Sequence, residues 1–285
     1  MKLNLKTLKK LDDTPPWEWP EDTGLALLDL LRNPGISEEE RLLGVGLAGD
    51  SVVINDDLAG VLLSVLRTGG HSEQVRSRAA ISLGPLLELC DTDGFDDPDE
   101  ISDTESTFHE IQKTMHALYR DTSVPKEVRR RILEASVRAP LDWQQEAIRT
   151  AYASDDEEWR LTAVFCMQYV RGFDEQILAS LASTNPDIQI EAVCAAGNWE
   201  VSEAWPHVLS LVSAKDTSRP LLLAAITAVG SIRPQEASTA LEHLADSEDD
   251  EIAEAVLEAT TMANARWNDE SDVDGEDDED LSPLN

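Results

Sequence analysis

One eleven-residue pattern returns seven times along the chain, and no other feature restricts its fold as strongly. EERLLGVGLAG (39–49), QVRSRAAISLG (74–84), EVRRRILEASV (127–137), EWRLTAVFCMQ (158–168), DIQIEAVCAAG (187–197), PLLLAAITAVG (220–230) and DEIAEAVLEAT (250–260) place apolar and small residues at matching offsets. Aligned on their second residues they begin at Glu40, Val75, Val128, Trp159, Ile188, Leu221 and Glu251, so the spacings are 35, 53, 31, 29, 33 and 30 residues. A recurring period of this size is the signature of a repeat architecture. Val75, Ala79 and Leu83 stand four apart, on one face of a helix. Ala79–Ala80, Ala192–Val193 and Ala225–Ile226 then supply the low bulk that lets a neighbouring helix come close.

A second helical stretch precedes each segment: 24–31, 56–67, 107–120, 141–152, 174–182, 202–212 and 234–245. Turn and cap residues separate the two, among them Asn33-Pro34-Gly35, Gly69-Gly70, Pro125, Pro140, Asn185-Pro186 and Pro234. No stretch alternates apolar and polar residues over a useful length, so strands are not expected. One helix pair cannot bury its own apolar face, whereas stacked pairs share a continuous core.

The V-R-x-x-A-A-x-x-L-G run at 75–84 resembles the second helix of a HEAT repeat, and the likeness extends over about residues 24–264. The short period is similar to the phycobilisome-lyase type of HEAT repeat. The resemblance implies an all-α, right-handed α–α superhelix of about seven helix pairs. It also implies that the arginine after the aligned position, Arg41, Arg76, Arg129 and Arg160, joins a polar ladder between repeats. Gln189, Leu222 and Ile252 stand there in the last three repeats and would interrupt such a ladder.

The expected organisation is a cap segment at 1–23, a solenoid at 24–265 with an acidic insertion at 91–107, and a disordered acidic tail at 266–285. The cap is needed because a solenoid must seal its first repeat. Trp17 and Trp19, in TPPWEWPEDTG, are the candidates for that seal, with a docking site as the other reading. The insertion holds eight carboxylates in DTDGFDDPDEISDTE, and the tail from Trp267 holds nine, with no basic residue in either. Neither is apolar enough to bury a core.

Charge narrows the function. With 23 basic and 57 acidic residues the chain carries a formal charge of −34. It repels phosphate backbones and anionic lipid, so nucleic acid and membranes are not expected partners, while cationic proteins are attracted. Cys90, Cys166 and Cys194 form no CxxC pair, which indicates neither a disulfide framework nor a zinc knuckle. Neither a secretory signal core nor a long apolar run is present in this sequence, so a cytoplasmic setting is expected.

No catalytic, cofactor-binding or metal-ligating constellation emerges. His109, Glu110 and His116 lack the spacing of a zinc-protease helix, and Asp272-Val273-Asp274-Gly275 lies in an incomplete calcium-loop frame. The remaining candidates for partner binding are Arg76, Arg129, Arg130 and Arg160; Arg129 and Arg130 belong to a basic run at 120–138 that the acidic insertion could cover by folding back. The sequence therefore points to a non-catalytic scaffold or adaptor that holds a protein partner, basic in character, on its concave face. The alternatives are a lyase-type enzyme or subunit handling a prosthetic group, and an acidic mimic that inhibits a nucleic-acid-binding protein.

Overall fold

In the computed structural model, residues 3–50, 55–95 and 105–273 are described, with side chains to residue 265. They form helices and turns, with no strand among the described residues. The chain divides into two compact units, Met1–Ala151 and Tyr152–Asn285. In the first lie α1 (Leu5–Asp12), α2 (Thr23–Arg32), α3 (Glu38–Gly49), α4 (Asp56–Arg67), α5 (Glu73–Ser82), α6 (Gly84–Asp93), α7 (Glu105–Arg120), α8 (Lys126–Ser136) and most of α9 (Asp142–Tyr152). The second holds α10 (Glu157–Cys166), α11 (Asp174–Ser180), α12 (Pro186–Asn198), α13 (Trp205–Ser213), α14 (Arg219–Ile232), α15 (Pro234–Leu241) and α16 (Asp250–Val273).

Each unit is a stack of helix pairs, the arrangement of an α–α solenoid. In the first, α2, α4 and α7 form one layer (A) and α3, α5 and α8 the other (B), with α2–α3, α4–α5 and α7–α8 as pairs. In the second, α10, α12, α14 and α16 pack successively as the B layer, and α11, α13 and α15 each pair with the B helix that follows. The core lies between layers: Leu27, Leu62, Leu66, Ile111 and Met115 meet Val45, Val75, Ala79, Leu83 and Ile132 in the first unit. In the second, Ile177, Val208 and Leu241 are buried with Ala192, Val193, Ala225 and Val229.

Local signals start the B helices. Ser37 accepts from the backbone N–H of Glu40, whose carboxylate takes the Ser37 N–H in return, a reciprocal cap that satisfies two otherwise orphaned donors. Ser72 accepts from the N–H of Val75, Asn185 from that of Ile188 and Asp249 from that of Ile252. The cap therefore sets the repeat register. It corrects the seventh start from Glu251 to Ile252, because Ile252 occupies the position after the cap that Val75 and Ile188 occupy.

B helices approach one another at glycine. A methyl group on Gly49 would stand 2.5 Å from Ser82 Cβ, and one on Gly197 would stand 3.1 Å from Ala228 Cα. At Gly230 it would meet the Ala259 carbonyl oxygen at 2.9 Å. The recurring glycine and alanine offsets thus mark backbone-to-backbone approach along the B layer.

Three further features depart from the sequence expectation. Helix α6, introduced by Pro85 in its first turn, adds an element after the second repeat and accounts for part of the 53-residue spacing. The acidic insertion contributes Asp91–Asp93 to α6 and Glu105–Thr107 to α7; residues 96–104 lie outside the described residues. Helix α16 continues to Val273, so the tail does not begin as coil at 266, and residues 274–285 lie outside the described residues.

Candidate functional site

The arginine register is structural. Arg41 donates from Nη1 to the Leu31 carbonyl at 3.2 Å and from Nη2 to Asn33 at 3.0 Å. Arg76 Nε donates to the Leu66 carbonyl at 2.9 Å, and Arg129 Nε to that of Tyr119 at 2.7 Å. Leu31, Leu66 and Tyr119 are each the penultimate residue of the A helix that comes before, where carbonyls have no intrahelical partner. Gln189 repeats the motif on Leu181 at 3.0 Å. These four bonds lie within their own helix pairs, so each of these side chains clamps its pair closed. A cation at a helix C-terminus is also favoured by the dipole.

The four partner-binding arginines therefore separate. Arg76 is 6% exposed and Arg130 3%, and both are used inside the protein: Arg130 Nη1 reaches Glu127 at 2.7 Å. Neither presents a guanidinium to a partner. Arg129 is half-buried, and its guanidinium carbon lies 5.4 Å from the centre of the Tyr119 ring. Arg160 is exposed, in a hollow of about 420 Å³ with Tyr152, Glu157 and Ser180. Whether the insertion folds over this basic region concerns residues outside the described residues.

The two tryptophans separate as well. Trp19 is half-buried against the core, and its indole N–H donates to the carbonyls of Leu11 at 3.1 Å and Thr14 at 2.8 Å. Trp17 is 78% exposed. The first repeat is covered by α1, which packs on α3 and buries Leu8 and Leu11, with Leu3 beside them. His109 lies 3.5 Å from Glu105, whereas His116 stacks on Trp143 with 4.7 Å between ring centres. No group of three or more His, Cys, Asp or Glu side chains comes together as a metal site among the described residues.

One open surface is the outer face of the B helices in the second unit. A groove of about 550 Å³ runs over α12, α14 and α16, with Ile190, Cys194, Leu223 and Ala224 along it and Glu251, Glu254 and Glu258 on one side. A second hollow of about 410 Å³ continues it past Gly230 and Ala259 to Met262. Ile190, Leu223, Ala224 and Ala255 are half-buried, while Glu254 and Glu258 are exposed. Among the described residues, no lysine or arginine lines either hollow. Burial pushes the Cys194 thiol up to about 11, with Glu191 adding to the shift, so this sulfur is protonated at neutral pH and a poor nucleophile.

Residues 175–260 match the family model described as HEAT repeats. The residues that line the larger groove, Gln168 apart, lie within that stretch. Among solved structures, the Escherichia coli protein YIBA is 14% identical, over 92% of this chain and 93% of that one, with a TM-score of 0.47. An engineered protein is 17% identical, over 98% of this chain and 79% of that one, with a TM-score of 0.45. Human deoxyhypusine hydroxylase in complex with glycerol is 15% identical, over 92% and 97%, with a TM-score of 0.39. No curated protein sequence matches the chain.

The residues of this face are not among the candidates drawn from the sequence. Its signal was nonetheless present. Two positions after the cap-defined start, the second unit carries Ile190, Leu223 and Glu254, too large or too polar for the tight B-layer contact. Four positions further stand Cys194, Thr227 and Glu258. These offsets lie on the side of the helix away from Ala192 and Ala225.

Proposed function

We propose that the protein is a non-catalytic scaffold whose second unit holds a partner protein against the outer face of α12, α14 and α16. The observation that carries this reading is the open groove, with its half-buried apolar floor and its row of carboxylates. A concave surface with an apolar base and a few directed polar groups is the usual form of a binding site. The formal charge of −34 supports a basic protein over nucleic acid or a membrane, and a cytoplasmic setting goes with that reading. No helix among the described residues is long and apolar enough to cross a membrane.

A lyase-type enzyme, as the likeness to phycobilisome-lyase repeats suggests, needs a nucleophile or an acid in the groove. Burial holds the Cys194 thiol protonated there, so this sulfur is not an activated nucleophile. Inhibition by acidic mimicry depends largely on residues outside the described residues. Photo-crosslinking tests the scaffold reading. A photoreactive residue at Thr227, on the groove, should give protein adducts in host lysate, and one at Ser64, exposed on α4, should not. Equal labelling at the two positions, or none at Thr227, would reject this face as the partner surface.

A further inference from the structure

The two units treat the same face in opposite ways. Three residues beyond the cap-defined start stand Arg78 and Arg131 in the first unit, and Glu191, Ala224 and Ala255 in the last three repeats of the second. Ten beyond it, Arg138 in the first unit corresponds to Asn198, Ser231 and Met262. In the first unit Arg78 and Arg138 lie across neighbouring helices, α3 and α6. A methyl group on Gly46 would be 2.7 Å from the Arg78 guanidinium, and one on Gly84 would be 2.9 Å from Arg138 Cδ. Each has a carboxylate within the unit: Arg78 is 3.7 Å from Asp50, Arg131 is 2.7 Å from Glu127 and 2.6 Å from Glu134, and Arg138 pairs with Glu88. The face is thus covered by arginine stems whose charged ends are neutralised in place.

The second unit has the carboxylates without the arginines. Glu254 and Glu258, one turn apart on α16, line the larger hollow, Glu258 also lines the second, and neither makes an ion pair among the described residues. Glu251, beside them, is already held by Arg219 at 2.5 Å. The apolar floor of Ile190, Leu223 and Ala224 lies where stems pack in the first unit.

We propose that the groove over α12, α14 and α16 takes an arginine-bearing protein segment, whose guanidiniums pair with Glu254 and Glu258 and whose stems and apolar neighbours cover Ile190, Leu223 and Ala224. The partner supplies from outside what Arg78, Arg131 and Arg138 supply within the first unit. Arginine suits this place better than lysine. Its planar fork meets a carboxylate with two parallel bonds, and its weakly hydrated group tolerates lying along an apolar floor. The proposal rests on the scaffold reading and names the chemistry of the partner.

The test is calorimetric titration with a ten-residue leucine–alanine peptide carrying two arginines four apart, at physiological salt. Saturable one-to-one binding is expected, and Glu254→Gln/Glu258→Gln should weaken it by about tenfold or more. The control Glu175→Gln/Glu203→Gln, exposed acids away from the groove, should leave affinity within about twofold, because long-range charge is screened. Ala224→Arg places an arginine in the register of Arg78 and should abolish binding while the thermal midpoint holds. Equal losses in the two double variants would reduce the effect to net charge and overturn the proposal. So would equal binding of the lysine or glutamine version of the peptide. If Thr227 crosslinks a partner segment that lacks arginine, the scaffold reading stands and the arginine assignment falls.

Discussion

Gly49→Ala is the sharpest test of how the B layer is built, because its sign depends on close approach and not on helix propensity. In an open helix interior, alanine is favoured over glycine by about 0.8–1.0 kcal/mol. Gly60 on α4 is such a position, exposed and with nothing within 4 Å of an added methyl group, so Gly60→Ala should stabilise by about that amount. At Gly49 the methyl group would stand 2.5 Å from Ser82 Cβ and 2.6 Å from Ser82 Cα. Carbon atoms pack best at about 3.5–4.0 Å, so α3 and α5 must separate by roughly 1 Å. Overpacking of this kind costs about 1–3 kcal/mol. The separation also stretches the bond from Ser82 Oγ to the Val45 carbonyl, now 3.0 Å, which contributes a further ~1 kcal/mol. Gly49 ends its helix, so the offsetting propensity gain is below ~1 kcal/mol. The net expectation is a loss of about 1–3 kcal/mol, against a gain of up to ~1 kcal/mol at Gly60. Calorimetric melting should therefore show the two variants moving in opposite directions, by about 2–4 °C per kcal/mol for a unit of this size. If Gly49→Ala melts as high as Gly60→Ala, the B helices are not in contact there and the account of the repeat is wrong.

Four further outcomes follow from the same structure. Arg76→Met leaves the Leu66 carbonyl without its charged donor and should cost about 1.5–3 kcal/mol in chemical denaturation, with arginine-peptide binding unchanged. Trp17→Ala should leave stability within ~0.5 kcal/mol, as exposed positions do, whereas Trp19→Ala, which loses two indole bonds and core packing, should cost about 2 kcal/mol or more by urea titration. Alkylation of Cys194 should keep accelerating with pH beyond 9, because its thiol is pushed up to about 11 while an ordinary thiol is already ionised there; a plateau near the ordinary value would contradict the burial. The Asp249 carboxyl is held below its ordinary value of 3.8 chiefly by hydrogen bonds from Arg219, so its contribution to stability is full above that value and disappears as pH falls through the lower, folded one. Acid titration of Asp249→Asn should show a flatter loss over that window.

The repeat itself was legible in the sequence because its causes are local. A cap, apolar residues three and four apart, and a small pair at fixed offset specify each helix within one or two turns, which is why the segment at 74–84 alone suggested the fold. The same local logic placed the seventh repeat one residue early, since Glu251 resembles Glu40 until Asp249 is seen capping Ile252. Helix α6 escaped because Gly84-Pro85 reads as a stop, yet proline in a first turn also starts a helix.

Function-bearing detail depends on which side chains meet between helices, and only the tertiary structure brings those together. Arg76 and Arg78 are two residues apart in one helix; one is spent closing its own pair and the other lies across the neighbouring α3 at Gly46. Trp17 and Trp19 differ as sharply, one exposed and one packed on the core. Composition records that acids outnumber bases, but not that the first unit neutralises its B face from within while Glu254 and Glu258 in the second are left open. Helix periodicity is encoded by neighbours along the chain. Which face is covered, and by what charge, is decided by how the helices pack.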